Sequence, residues 1–199
     1  MAYLSGLNEY LDAHYSESVF DTAAKEGRLW EMHLHSQWII KARITEVLTY
    51  DLELDTGSSK DEVLPKIQIK CLYPESIADS AKPLMGMNRK VKDLELAPHL
   101  SPRYRNHVKN KTLFPLMKDK GVLFFTLLGG EIIKGIVAGF TRYEITAHMK
   151  GGIPITLLRH AIYDIRDKKG RCYLKSSQEK FQDWKKSRLY VQEGTELTI

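Results

Sequence analysis

The chain has 199 residues, 43% of them hydrophobic and 28% charged, proportions that exclude global disorder and suit one large domain or two small ones. No apolar run approaches the roughly 20 residues of a membrane span, the first residues lack the basic leader and apolar stretch of a secretory signal, and Cys71 and Cys172 form no CxxC pair; the expected compartment is the cytoplasm, with no disulfide framework, metal site or cofactor. The net charge of +5 is divided unevenly: residues 1–93 carry 11 Lys/Arg against 15 Asp/Glu and residues 94–199 carry 19 against 10, so the second half is the expected contact for a polyanion.

In chain order, residues 1–75 read as a short helix followed by β-rich runs, LWEMHLHSQWIIKARITEVLTYDLEL from Leu29 and then LPKIQI. Residues 76–98, within the proline-flanked stretch PESIADSAKPLMGMNRKVKDLELAP, read as a linker. Arg103 to Lys118 mixes apolar and basic residues and predicts a short helix that Pro115 limits in length. VLFFTLL is then a strand, Gly129-Gly130 a hairpin turn, EIIKGIVAGF a second strand, RYEITAHM a third, KGGIP a turn, and ITLLRHAIYDI two short strands joined by a tight bend near Arg159 and His160. Gly135 and Gly139, mid-strand, suit the curvature of a small barrel. From residue 167 to 199 a basic loop leads into an expected helix, SSQEKFQDWKK, and a strand-like RLYVQ.

The two β-rich regions are related by a constant offset of 93 residues. Without a gap, Ile39-Ile40-Lys41 falls on Ile132-Ile133-Lys134, Tyr50 on Tyr143, Leu64 on Leu157, Lys66 on Arg159 and Ile69 on Ile162. Identity is sparse, but the order and length of the apolar runs recur, as duplicated strands would leave them. The expected fold is mainly β, in the α+β class: two tandem five-stranded, strongly bent antiparallel barrels, each preceded by a short helix, over 1–75 and 99–166.

The segment GGEIIKGIVAGFTRYEITAHMKGGIPITLLRHAIYDI resembles the core of the Hfq family, the bacterial Sm-like (LSm) RNA chaperones, in its hairpin glycine, glycine-bearing second strand, following aromatic and terminal block Arg159-His160-Ala161-Ile162. The resemblance implies Sm-type modules arranged in a ring, with U-rich single-stranded RNA bound around the pore. It implies that Tyr143 stacks a base while Arg159 and His160 reach base edges and phosphate, with Tyr50 and Lys66 as a weaker counterpart. Stacking on an aromatic tolerates any base, and arginine offers a planar cation to phosphate. Leu158 stands where the family often has tyrosine, Thr126 and His33 stand where an aromatic helps bind adenine, and Pro65-Lys66-Ile67 replaces the terminal block in the first copy. Two modules per chain imply a homotrimer closing a pseudo-hexameric ring.

Other readings of the same residues remain open. Tyr50 and Tyr143 could serve as core or barrel-end aromatics, and His160 as an interface histidine; His33 and His35, two apart on one strand, could share a metal, but no third ligand is evident. A nucleophile elbow, a Walker loop and paired catalytic carboxylates are all absent from the sequence. The expectation is therefore a non-catalytic RNA-binding protein; the alternative is an Sm-like assembly scaffold that has lost RNA binding.

Overall fold

A computed structural model describes residues 4–57 and 62–174. Among the described residues the chain is mainly β, with eleven strands in one antiparallel sheet that does not close, and five helices. Helices α1 (Leu7–His14) and α2 (Val19–Glu26) precede β1 (Trp30–Leu34), β2 (Ile39–Val47), β3 (Asp51–Asp55), β4 (Glu62–Pro65) and β5 (Ile69–Pro74). A connecting stretch carries α3 (Ala78–Ala81), β6 (Met85–Met87) and α4 (Arg89–Lys92). Helix α5 (Asn110–Asp119) then leads into β7 (Leu123–Leu127), β8 (Glu131–Phe140), β9 (Glu144–Met149), β10 (Pro154–Leu158) and β11 (Ile162–Asp167).

Along the sheet the order is β11-β7-β8-β9-β10-β5-β1-β2-β3-β4, with β6 on the side of β8. The first half therefore runs 5-1-2-3-4 in its own strand order, and the second half repeats that order. The offset of 93 residues survives at the level of paired atoms. Trp30 pairs with Ala42 as Leu123 pairs with Gly135, and Asp51 with Pro65 as Glu144 with Leu158. Register irregularities recur too: between Ile44 and Glu46 opposite β3, and between Val137 and Gly139 opposite β9. Such an extra residue bends a strand and increases its twist, which lets β2 and β8 each change partners along their length.

Local chemistry explains both bends. In β2 the exposed face alternates with buried Ala42 and Ile44, the period-2 pattern of a sheet with one wet side. At the same place in β8 sits Gly135, where a Cβ would lie 2.6 Å from the carbonyl oxygen of His148, so the backbone approach of β9 requires glycine. The short helix expected over 103–118 starts only at Asn110 and runs through Pro115 to Asp119. The bond that proline forfeits reaches back only to the first turn, and Pro115 is buried.

Two hydrophobic clusters form, and each borrows from the other half. Leu158 and Ala161 lie in the cluster built around Trp30, Met32, Leu52 and Leu54, whereas Cys71 and Tyr73 lie in the cluster around Phe125, Ile133 and Phe140. Pairing of β10 with β5, through Thr156 with Leu72 and Leu157 with Cys71, is the seam. The connecting stretch is more than a linker: β6 pairs with β8 through Met85 and Ile133, and Ala78, Ala81 and Val91 are buried. The expected C-terminal helix and RLYVQ strand lie outside the described residues. Among the described residues no helix is long and apolar enough to cross a membrane.

Candidate nucleic-acid interface

The five residues singled out in the sequence fall in two equivalent loop pairs. The β2–β3 turn carries Tyr50 and the β4–β5 turn carries Lys66; the β8–β9 turn carries Tyr143 and the β10–β11 turn carries Arg159 and His160. The same backbone bond ties each pair: Lys66 N–H donates to the Tyr50 carbonyl oxygen at 2.9 Å, and Arg159 N–H to that of Tyr143 at 2.8 Å. A second bond recurs between His35 N–H and the Gln68 oxygen, and between Leu128 N–H and the Ala161 oxygen.

Helix α2 brings the two loop pairs to one neighbourhood. Ser18 Oγ and Val19 N–H at its N-terminus donate to the Glu144 carboxylate, next to Tyr143, at 3.1 and 2.9 Å. The Lys66 ammonium lies 5.9 Å from the centre of the Phe20 ring on the same helix. A carboxylate at a helix N-terminus answers free N–H groups there, but burial pushes the Glu144 carboxyl above its ordinary pKa despite the Val19 and Ser18 bonds.

The side chains differ sharply in what they leave free. Tyr50 is 79% exposed and Tyr143 59%, so neither is a core aromatic. The Arg142 guanidinium sits 5.3 Å from the Tyr143 ring centre, an exposed cation and ring of the kind that stacks a base and meets a phosphate. Arg142 was missed in the sequence, although a cation beside a loop aromatic, with Thr49 at the same place in the first copy, was the available signal.

Lys66, Arg159 and His160 turn inward instead. Lys66 Nζ donates to the Leu48 carbonyl oxygen and, at 3.4 Å, to that of Thr49. Arg159 donates to Asn110 Oδ1 at 3.0 Å and lies 5.4 Å from the Phe140 ring centre, while its Nε and Nη2 are buried without a hydrogen-bond partner. Burial lowers its pKa to about 10. Helix α1 is anchored beside it, because the Tyr10 hydroxyl donates to the Phe140 oxygen and accepts from Phe140 N–H. His160 Nε2–H donates to the Ile69 oxygen across the seam at 2.9 Å, and burial drives its pKa down to about 4. Of Tyr143, Arg159 and His160, only the tyrosine projects outward.

Of the two early histidines, His33 is committed elsewhere, whereas both ring nitrogens of His35 are buried without a hydrogen-bond partner. His33 Nε2–H donates to the Tyr73 hydroxyl at 2.7 Å, which donates to Glu31 at 3.1 Å, and Lys82 and Lys41 pair with that carboxylate. His35 faces His160 with ring centres 6.4 Å apart, and burial lowers its pKa to about 3. Among the described residues no group of three His, Cys, Asp or Glu side chains could hold a metal. Beside them the seam buries an ion pair, Lys70 with Glu131, over Gly129, where any Cβ would collide with both charged groups.

Comparison with known proteins returns no match among family models, curated proteins or solved structures.

Proposed function

We propose that the chain is a tandem pair of Sm-like modules of the Hfq kind that binds single-stranded, U-rich RNA and does no chemistry on it. One observation carries the reading: an exposed tyrosine recurs at the same loop of both copies, beside one helix, and in the basic half it is joined by an exposed arginine. Solvent-facing aromatics lose apolar contact unless something covers them, and a base covers a ring without demanding a sequence. The repeated 5-1-2-3-4 strand order supports the family likeness read from the Arg159-His160-Ala161-Ile162 block.

Fluorescence anisotropy with labelled oligo-U tests it. Binding that weakens with salt, and weakens further in Tyr143→Ala and Arg142→Ala, is the expected outcome. Binding indifferent to both substitutions removes the assignment.

A second reading rests on a separate observation. Lys66, Arg159 and His160 are all spent on partners or positions within the protein, which favours an Sm-like assembly scaffold that no longer binds RNA. Pull-downs whose partners survive nuclease treatment support that reading.

A further inference from the structure

The repeat leaves one element over. Shifting α2 by 93 residues lands it on residues 112–119 of α5, whereas α1 lands on residues 100–107, which form no α-helix. Helix α1 lies on the second copy instead: Leu7 is buried in that copy's cluster, with Leu4, Tyr10 and Leu11 packed against it. We infer that α1 is a strap closed over an oxyanion site, whose donor is one edge of the Arg159 guanidinium, and that a phosphate of the bound RNA opens it. The identity of that ligand rests on the RNA-binding reading above; the site and its cover do not.

The Arg159 guanidinium is held on one side only. Its Nη1 donates to Asn110 Oδ1 at the start of α5 at 3.0 Å, and its central carbon lies 5.4 Å from the centre of the Phe140 ring. Nε and Nη2, the adjacent donors of a single edge, are buried and have no hydrogen-bond partner. With that edge an arginine takes two oxygens of a phosphate or carboxylate at once. Among the described residues no carboxylate pairs with Arg159. The ionisable groups that act on it are Tyr15 and Tyr10, at the end of α1 and within it. Burying a cation whose donors go unanswered is unfavourable, and an oxyanion on the Nε–Nη2 edge removes that penalty.

The strap is fastened by a few separable contacts. Tyr10 is its anchor: the ring centre lies 4.8 Å from that of Phe140 and 5.8 Å from that of Phe114, and the hydroxyl donates to the Phe140 oxygen at 3.0 Å and accepts from Phe140 N–H at 2.8 Å. Lys118 Nζ donates to the Ser5 oxygen at 2.7 Å. At the far end the Tyr15 oxygen accepts from Arg142 N–H at 3.0 Å, so the strap ends against the loop that carries Tyr143. Arg159 N–H bonds the Tyr143 oxygen from the other side, which makes the covered guanidinium a neighbour of any base stacked there. Helix α1 has eight residues, and Gly6 at its N-cap offers no side-chain bond; a helix this short depends on its tertiary contacts for order. Glu9, Asp12 and Glu17 make the strap negative, with no Lys or Arg before Lys25, so in the closed state it repels a polyanion from Arg159.

Hydrogen exchange on the full chain, located by mass spectrometry, tests the strap. In phosphate, against chloride at equal ionic strength, the amides of residues 7–15 exchange faster, and oligo-U has the same effect. Arg159→Gln abolishes both responses, and Arg159→Lys, which keeps the charge without the paired donors, restores neither. Tyr10→Phe removes the two Phe140 bonds and keeps the ring; it speeds exchange in α1 and tightens oligo-U binding roughly fivefold, a gain absent when Tyr10→Phe is combined with Arg159→Gln. Exchange in α1 indifferent to both phosphate and oligo-U overturns the inference, as does a Tyr10→Phe gain that survives Arg159→Gln, or faster exchange in Tyr10→Phe with no gain in affinity. The two readings fail separately. Phosphate that opens α1 through Arg159, with no binding of oligo-U, keeps the site and removes RNA as its ligand; oligo-U binding that needs Tyr143 while α1 stays protected keeps RNA binding and removes the strap.

Discussion

The two copies share a backbone and differ in what they place on it. At equivalent positions the seam between them holds Lys70, Glu131 and His160, whereas the outer ends hold Tyr163, Trp38 and Ile67. The contrast teaches that a duplicated β unit can keep strand order, register and bulges while its two edges diverge. A permanent joint within one chain tolerates buried charge, because its partner is always present. An edge that must also exist alone is better served by groups without a desolvation penalty.

Breaking the seam is expected to have the largest effect. Lys70→Met leaves Glu131 buried without its cation, and should cost about 3–5 kcal/mol in denaturant unfolding. Lys70→Met with Glu131→Leu should recover much of that loss. Tyr163→Ala at the equivalent outer position should cost the single chain far less.

Acid sharpens the same contrast. His160 and His35 are held neutral by burial, with pKa values lowered to about 4 and about 3, while an unfolded histidine titrates near 6.5. Between these values the unfolded chain binds more protons, so stability rises with pH and falls as pH drops from the unfolded value towards the folded ones. For His160 alone the loss is on the order of 3 kcal/mol. Melting curves from pH 7 to 4 should therefore fall less steeply in His160→Ile, which gives the second copy the side chain of the first; an unchanged slope would separate His160 from the acid sensitivity.

Smaller effects test the bends and loops. Gly135→Ala forces a Cβ against the His148 carbonyl and should cost about 1–3 kcal/mol, although its counterpart, Ala42, is accommodated in the first copy. In the anisotropy assay Tyr143→Ala should weaken oligo-U binding by about 1–3 kcal/mol, and Tyr50→Ala by less, because no arginine accompanies Tyr50.

The repeat was legible in the sequence because no insertion disturbs the offset from Leu29 to Ile69, so even the bulges recur at matched positions. The strands of the second copy were readable for the same reason, from Gly129-Gly130 and the turn around Gly151. β6 was not: three residues, Met-Gly-Met, carry no period, and only their pairing with β8 makes them a strand. The inward turn of His160 was equally hidden, since its acceptor on Ile69 lies 91 residues away. Lys66 looked like a free cation because nothing in its neighbours announces that carbonyls from the β2–β3 turn will surround it. The tyrosines were legible as a repeated aromatic, with Tyr143 read as part of a strand, but their place in the turns and their exposure were settled by packing that a linear pattern does not contain.

The most direct test of the RNA reading is photo-crosslinking of a 4-thiouridine oligonucleotide to the full chain, with the modified peptides located by mass spectrometry. Adducts on Tyr143 and, more weakly, on Tyr50 are the expected result. Adducts confined to the basic turn of Lys168, Lys169 and Arg171, or none at all, would contradict it.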